Sequence, residues 1–286
     1  MDEAPRFLTT AEVATLLRVR ERKVYDLAAA GGIPCRRLTG KLLFPREEIE
    51  LWLEGTAPGP LPEIVAGSHD PLLEWALRES ACGLATAFDG SLDGLERLAA
   101  REAALAGCHV FEPETGDWNL GHVAARLGQA PVVVAEWARR QQGVLLAPGL
   151  GAQVRSLADL AGRRVVRRQP SSGAGMLLDH LIAEAGGGAP AFTPDLARTE
   201  TEAATAVLSG AAEAAPGLGA LAAQFRLDFL PTAVERFDLV VDRRCWFEPP
   251  FQRLLAFCRS PGFAARAESF GGYDVSGLGT IRHNGP

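Results

Sequence analysis

One proline- and glycine-rich stretch divides the chain into two rhythms, and that break restricts the fold more than anything else in it. The run Gly55-Thr56-Ala57-Pro58-Gly59-Pro60-Leu61-Pro62 cannot continue a helix and makes a stiff spacer. Before it, apolar residues recur at helical spacing; after it, short apolar runs alternate with polar turns and amphipathic segments. With 286 residues there is material for more than one core. The expected division is a first domain over 1–55, a linker over 56–62 and a larger domain over 63–286.

The first segment reads as a helix-turn-helix with a small wing. Thr9 and Glu12 fit a capping box ahead of Val13, Leu16 and Leu17, which share a helical face. After a break at Arg18-Val19-Arg20, a second helix over about 21–30 carries Val24, Leu27 and Ala28 inward. Gly31-Gly32 ends it and Pro34 prevents its resumption. Residues 35–38 and 41–44 flank a hairpin turn at Thr39-Gly40. Pro45 opens a third helix, whose Ile49, Trp52 and Leu53 are expected to pack back on the first two.

Helix, tight turn, helix lays a recognition helix across a major groove. Basic residues cluster at the start of the second helix (Arg18, Arg20, Arg22, Lys23) and on the wing (Arg36, Arg37, Lys41), with Tyr25 completing the candidate DNA-contacting set. Arginine pairs bidentately with guanine, and lysine mostly meets phosphate. Residues 1–56 are formally neutral, nine Lys/Arg against nine Asp/Glu, so the distribution carries the argument. Glu47, Glu48, Glu50 and Glu54 fall on the third helix, which is expected to hold them away from the basic edge.

The run Leu8-Thr9-Thr10-Ala11-Glu12-Val13-Ala14, then Val24-Tyr25, Gly32-Ile33-Pro34, Phe44-Pro45-Arg46 and Trp52-Leu53, resembles the excisionase-like, MerR-like winged helix-turn-helix. The resemblance implies double-stranded DNA as partner. Arg20 departs from it, standing where a serine or threonine usually caps the recognition helix, a loss of ~1 kcal/mol.

The net charge of −6 lies entirely beyond this head, with 20 Lys/Arg against 26 Asp/Glu. Any contact with nucleic acid therefore depends on a local patch. No apolar run approaches the ~20 residues of a membrane helix, so no membrane partner is expected. The start Met1-Asp2-Glu3-Ala4-Pro5 lacks the parts of a signal peptide, and five cysteines without paired spacing imply a reducing compartment. A cytoplasmic location is expected.

Beyond the spacer the expected strands are 63–66, 83–88, 105–110, 131–135, 143–147, 164–166, 227–230 and 239–241. The expected helices are 72–82, 92–102, 174–185, 200–208, 217–225, 249–258 and 261–270, with a loop at 186–190. Strand, polar turn and helix in repetition make βαβ units on a parallel sheet. The fold class is mostly α/β, behind the winged head.

Three of the turns set serines before a helix: Ser68, Ser91 and Ser171-Ser172. A helix N-terminus offers unpaired N–H groups and partial positive charge, a seat for an anion. Each serine alone reads better as a plain cap; three turns of one type favour a ligand cleft.

Many runs from 61 onward resemble the type II periplasmic-binding-protein-like sensor domains related to molybdate-binding proteins. They are Gly67-Ser68-His69-Asp70, Gly90-Ser91 with Gly94-Leu95, Gly107-Cys108-His109-Val110, Glu112-Pro113-Glu114-Thr115-Gly116 and Arg139-Arg140-Gln141-Gln142-Gly143. Arg168-Gln169-Pro170, Ser172-Gly173, Leu177-Leu178-Asp179 and Gly271-Gly272-Tyr273-Asp274 continue the match. The resemblance implies two lobes joined by two crossing strands, one of about 61–138 plus 238–286 and the other of about 139–237. It also implies a molybdate- or tungstate-type oxyanion between them. Two departures bear on that ligand. Ala174-Gly175 stand where threonine and arginine are usual, and Gly219 where a glutamate is often found. Losing charge-assisted donors leaves a small organic acid or neutral metabolite as the alternative. The ligand candidates are Ser68, His69, Ser91, His109, Asn119, Ser171, Ser172 and Gly173, with Trp118 nearby as a stacking surface or a packed indole.

Enzymatic readings find little support. Ser68-His69-Asp70 are adjacent and cannot converge as a triad. No Gly-x-Ser-x-Gly elbow occurs, and Cys82, Cys108, His109 and His122 lack zinc-site spacing. The run 217–222 fits a dinucleotide pattern, but Ala214-Ala215-Pro216 is a poor strand, so a tight strand-to-helix turn is the better reading. The expectation is a homodimeric, ligand-responsive transcription regulator without enzymatic activity, metal or cofactor, the alternative being a ligand-binding protein whose head contacts no DNA.

Overall fold

The structure, a computed structural model, describes residues 5–38, 40–53, 59–128, 130–186 and 188–285. It forms two compact units, Met1–Pro60 and Leu61–Pro286. Thr39 of the expected hairpin turn, Glu54, spacer residues 55–58 and Gly187 lie outside the described residues.

In the first unit, β1 (Phe7–Leu8) leads into α1 (Thr10–Leu17). The capping box forms: the Glu12 amide donates to Thr9 Oγ1 at 3.3 Å, and the Thr9 amide donates to the Glu12 carboxylate at 2.7 Å. Arg18 turns the chain in the left-handed region at φ 54°, and the Val19 amide closes the turn on the Ala14 carbonyl at 3.0 Å. Then come α2 (Glu21–Ala29), the antiparallel hairpin β2 (Arg36–Leu38) and β3 (Lys41–Pro45), and α3 (Arg46–Leu53). β3 also pairs with β1, a two-residue strand too short to show a period. Leu8, Val13, Ala14, Val24, Ile33, Phe44 and Ile49 form the core. Leu16 and Leu53, expected inside, are 47% and 46% exposed; a unit this small buries only one narrow stripe per helix.

Arg20 caps α2 with extended backbone and no side-chain hydrogen bond. Arg20→Ser adds the missing acceptor and is expected to stabilise α2 by about 1 kcal/mol, slowing exchange of its amides about fivefold. Hydrogen exchange by NMR measures this, and unchanged rates along α2 would refute it.

The second unit opens with β4 (Ile64–Gly67), α4 (Pro71–Glu79), β5 (Ala85–Ala87), α5 (Ser91–Ala99) and β6 (Leu105–Cys108). A small hairpin, β7 (Phe111–Glu112) and β8 (Asp117–Trp118), leads to α6 (Leu120–Leu127). The long β9 (Val132–Leu146) is followed by β10 (Arg164–Arg168), α7 (Gly173–Ala185), β11 (Ala191–Ala197), α8 (Glu200–Leu208), β12 (Ala214–Leu218) and α9 (Gly219–Phe225). A second long strand, β13 (Asp228–Asp242), precedes α10 (Arg243–Trp246), α11 (Pro249–Cys258), α12 (Pro261–Phe270), β14 (Tyr273–Asp274) and β15 (Ile281–Asn284).

One sheet runs β11-β10-β12-β9-β13-β6-β4-β5 through two α/β lobes. β4, β5 and β6 are parallel in the first lobe, as are β10, β11 and β12 in the second, while β9 and β13 run antiparallel to each other through both. Each lobe buries apolar side chains in two clusters, around Leu72, Trp137 and Phe251 and around Leu95 and Val134 in the first, and around Ala203 and Leu221 and around Leu160 and Leu178 in the second. No described helix is long and apolar enough to cross a membrane.

The two crossing strands implied by the resemblance are present, but the expected strand bounds missed their length. Strands were expected at 131–135 and 143–147, and at 227–230 and 239–241; each pair is one strand of 15 residues. The polar middles carry no expected element, yet Glu235 pairs in register with Arg140, so charge meets charge in a buried ladder. Ala214-Ala215-Pro216 is likewise a buried strand. β10 meets β12 only at Ala214, so the N–H missing at Pro216 breaks no ladder bond to that neighbour.

Candidate functional site

In the first unit, α2 shows solvent the side chains of Arg22, Lys23 and Tyr25 while Val24 anchors it. Arg18, Arg20, Arg37 and Lys41 are exposed as well. Arg36 differs: its guanidinium meets Glu48 at 2.7 Å, so α3 does not hold all its acids away from the basic wing. A pair this exposed contributes little, ~0–1 kcal/mol, and gives way readily to a phosphate.

In the second unit the serine turns converge. Ser68 and Ser91 hydroxyls lie 2.9 Å apart, and the His109 amide donates to Ser91 Oγ at 3.1 Å. From the second lobe, Ser171 Oγ donates to the Asp89 carbonyl at 2.7 Å, while the Leu92 amide donates to the Ser171 carbonyl at 3.2 Å. Ser172 caps α7, accepting from the Gly175 amide at 3.3 Å. The approach is so close that a Cβ on Gly173 would lie 2.4 Å from the His109 carbonyl oxygen, and one on Gly90 would lie 2.7 Å from Ser171 Oγ. Arg198 adds an ion pair to Asp89 at 2.9 Å, and the rings of His180 on α7 and Phe111 on β7 have centroids 5.4 Å apart. The lobes thus meet at the turns expected to line the cleft. The first-turn amide of α5, Leu92, is occupied by a protein carbonyl.

Behind these turns lies a network with no counterpart in the expected site list. Asp70 caps α4 through the Leu73 amide at 2.6 Å. It also accepts from Trp137 Nε1 at 3.0 Å, Arg140 Nη1 at 2.8 Å and the Tyr273 hydroxyl at 2.6 Å. Arg140 bridges from Asp70 to Glu235, whose other oxygen meets His109 Nδ1 at 2.7 Å. The Arg140 guanidinium lies 4.3 Å from the centroid of the Phe237 ring, on which His109 also stacks. Burial alone raises the Glu235 carboxyl, but Arg140 and His109 outweigh it and hold the group below its ordinary value. Burial, then Asp70, pushes the Tyr273 phenol well up, so it stays a donor. In the second lobe Arg168 pairs with Glu200 at 2.9 Å, both nearly inaccessible.

Two candidates are committed elsewhere. Asn119 braces the β7–β8 hairpin: its Oδ1 accepts from the Val110 amide at 2.6 Å and its Nδ2 donates to Asp238 at 2.8 Å, leaving no expected ligand contact. His69 Nε2 meets Glu74 at 3.2 Å, and its ring stands edge-on to Phe88. Trp118 packs on Phe111 at 5.2 Å between centroids. Gly175 lies on the wall of a depression of about 190 Å³ with Arg168, Gln169 and Met176. Burial, then Asp238, pushes the Cys108 thiol up to about 12, which leaves it protonated and inert at neutral pH. Among the described residues no group of three or more His, Cys, Asp or Glu is arranged to hold a metal ion.

The PBP superfamily domain matches residues 74–259, and the helix-turn-helix domain matches residues 7–57. The chain belongs to the PBP superfamily domain family. The uncharacterized protein YvgK of Bacillus subtilis (strain 168) is 24% identical over 303 residues, which cover 96% of this chain and 96% of that protein. An uncharacterized protein in the ferredoxin 2Fe-2S gene 5' region of Clostridium pasteurianum is 34% identical over 79 residues, 27% of this chain and 70% of its own length. Among solved structures, the regulatory domain of MetR, a LysR family regulator from N. meningitidis, superimposes with a TM-score of 0.51 at 16% identity, covering 74% of this chain and 96% of that one. A putative phosphate ABC transporter substrate-binding protein with bound phosphate, from Clostridium perfringens, gives 0.52 at 10% identity, covering 72% and 96%. These likenesses place the second unit in the two-lobed PBP fold, to which the crossing strands β9 and β13 conform. The membership gives the polar middles of those strands a meaning that periodicity did not: Arg140 and Glu235 sit where the lobes of a PBP domain join.

Proposed function

We propose that the protein is a one-component transcription regulator, reading DNA with its first unit and sensing a small molecule between the lobes of its second. The observation that carries this is the pairing, in one chain, of a helix-turn-helix domain with a PBP superfamily domain. A domain of the same fold serves as the regulatory domain of a LysR family regulator, which supports the assignment of sensing to the second unit. The head reads its operator in the manner of excisionase-like and MerR-like winged heads, with α2 in the major groove. Such heads act in pairs about 34 Å apart, so the working form is a homodimer, acting in the cytoplasm where the DNA is. A ligand that prefers the closed cleft shifts the lobe equilibrium, and ligand and DNA then alter each other's affinity by the same factor. No enzymatic step is assigned to the cleft.

One candidate occupant is a molybdate- or tungstate-type oxyanion at the serine turns, where it competes with Ser171 and Ser172 for helix-start amides. A small organic molecule fits the charged network behind them. Either occupant leaves the regulatory reading unchanged.

Replacing both Arg22 and Lys23 with alanine is expected to weaken binding to the upstream duplex and to lower the slope of log affinity against log salt by about two, since each lost phosphate contact removes ~0.9. Fluorescence anisotropy across salt concentrations reads both. If wild-type protein binds the duplex with no salt dependence, or the double variant keeps the full slope, the head does not read DNA through α2.

A further inference from the structure

The lobe junction holds buried polar atoms with no hydrogen-bond partner: Arg140 Nε, both amide atoms of Gln142, and Glu200 Oε2. Arg140 and Gln142 are two residues apart on β9, so their side chains leave the same face of the strand where it crosses between lobes. Glu200 comes from the other side, in the first turn of α8. Its Oε1 is held by Arg168, and α8 packs against β9, while Tyr273 donates to Asp70 beside Arg140. β14 sets Tyr273 directly opposite Arg140 on β9. The bare carboxylate oxygen of the second lobe and the bare atoms of the crossing strand therefore share one neighbourhood. Buried polar groups are almost always paired, and four unpaired atoms about one junction mark where a polar ligand can be received.

Their chemistry selects against a tetrahedral oxyanion. Three carboxylates (Asp70, Glu235, Glu200) face two guanidiniums (Arg140, Arg168) and the His109 ring, and both terminal nitrogens of Arg140 and the His109 Nδ1 are already held by carboxylates. The shell has no free positive charge to offer a dianion. One amide at each helix start is also engaged: Leu73 by Asp70, Leu92 by the Ser171 carbonyl and Gly175 by Ser172. Glu200 Oε2 needs a donor, which a fully deprotonated oxyanion lacks. We propose that the cleft takes a small organic molecule bearing an amino group, an amine or amino-substituted ring of net charge zero or +1. It donates to Glu200 Oε2 and pairs as donor and acceptor with the Gln142 amide. This rests on the sensor reading above.

The test is calorimetric titration of the full chain with adenine, guanine, cytosine and the standard amino acids, set against hypoxanthine, uracil, sodium molybdate and sodium tungstate. The expected result is one-to-one binding of an amino-bearing probe, weakened at least tenfold by loss of its amino group and at least tenfold by Glu200→Gln. Glu200 also holds Arg168, so a second variant guards against misfolding. Gln142→Leu removes two unpaired atoms at similar volume, and it is expected to melt higher than wild type without additives while losing the same probe at least tenfold. Tight molybdate or tungstate binding that survives Glu200→Gln overturns the ligand class and leaves the sensor standing. Silence from every probe overturns both, and a Gln142→Leu protein that melts lower than wild type shows that the amide was already satisfied, which overturns its role.

Discussion

Replacing Arg140 with methionine is expected to lower the unfolding free energy of the second unit by about 3–5 kcal/mol at neutral pH, the range for removing one partner of a buried ion pair. Arg140 is fully buried and holds Asp70 and Glu235, both also fully buried. Methionine fills the stem's volume but leaves two carboxylates facing each other without a cation. The pH dependence carries the sign. In the wild type the Glu235 carboxyl sits below its ordinary value. Its contribution is therefore present above the unfolded value of about 4.3 and is lost as pH falls through the lower folded value. Without Arg140, burial pushes the Glu235 carboxyl upward instead, so protonation relieves it and the variant's deficit should shrink as pH falls from 7 towards 5. Urea unfolding followed at several pH values reads both effects. A deficit below 1 kcal/mol, or one that stays constant with pH, would show that the network is not held together by this guanidinium.

Gly173→Ala should act on the cleft and spare the lobes. Gly173 does not adopt positive φ, so alanine suits its backbone and its place in the first turn of α7. The obstacle is the His109 carbonyl oxygen of the opposite lobe, 2.4 Å from the new Cβ. A backbone atom cannot swing aside as a side chain end does, so the lobes must part. Overpacking of this kind costs about 1–3 kcal/mol, which lowers the closed population about five- to a hundredfold. The Leu92 amide, held by the Ser171 carbonyl, then exchanges faster by the same factor, and the radius of gyration from solution scattering rises. Hydrogen exchange on residues 89–95 that matches the wild type would mean that the turns do not form the closing contact.

Glycine, capping residues and helical spacing act within a few positions, so Thr9 and Glu12 announced α1, and 249–258, 261–270 and 200–208 could be read as helices to their end residues. The serine turns were legible for the same reason: Ser68, Ser91, Ser171 and Ser172 sit beside the helices they serve. His109 joined them because it ends a recognisable strand. Asn119 looked like a ligand group because its type and position are local facts, whereas its bonds to the Val110 amide and to Asp238 depend on distant backbone. Arg140 and Glu235 went unread for the opposite reason: charges inside an apolar run look like a loop until the partner that neutralises them is known.

On its own, the amino-acid order determined the break between two units, the winged head, the alternation of strand and helix and the turns that face the cleft. Each of these follows from hydrogen bonds and apolar periods closed within about a dozen residues. Only the tertiary structure decided that β9 and β13 run unbroken through both lobes, and that Asp70, Arg140, Glu235 and Tyr273 form one site. Asp70 lies 70 residues from Arg140 and 203 from Tyr273. Over such separations a charge finds its counter-charge through the packing of the whole sheet, which no local pattern encodes.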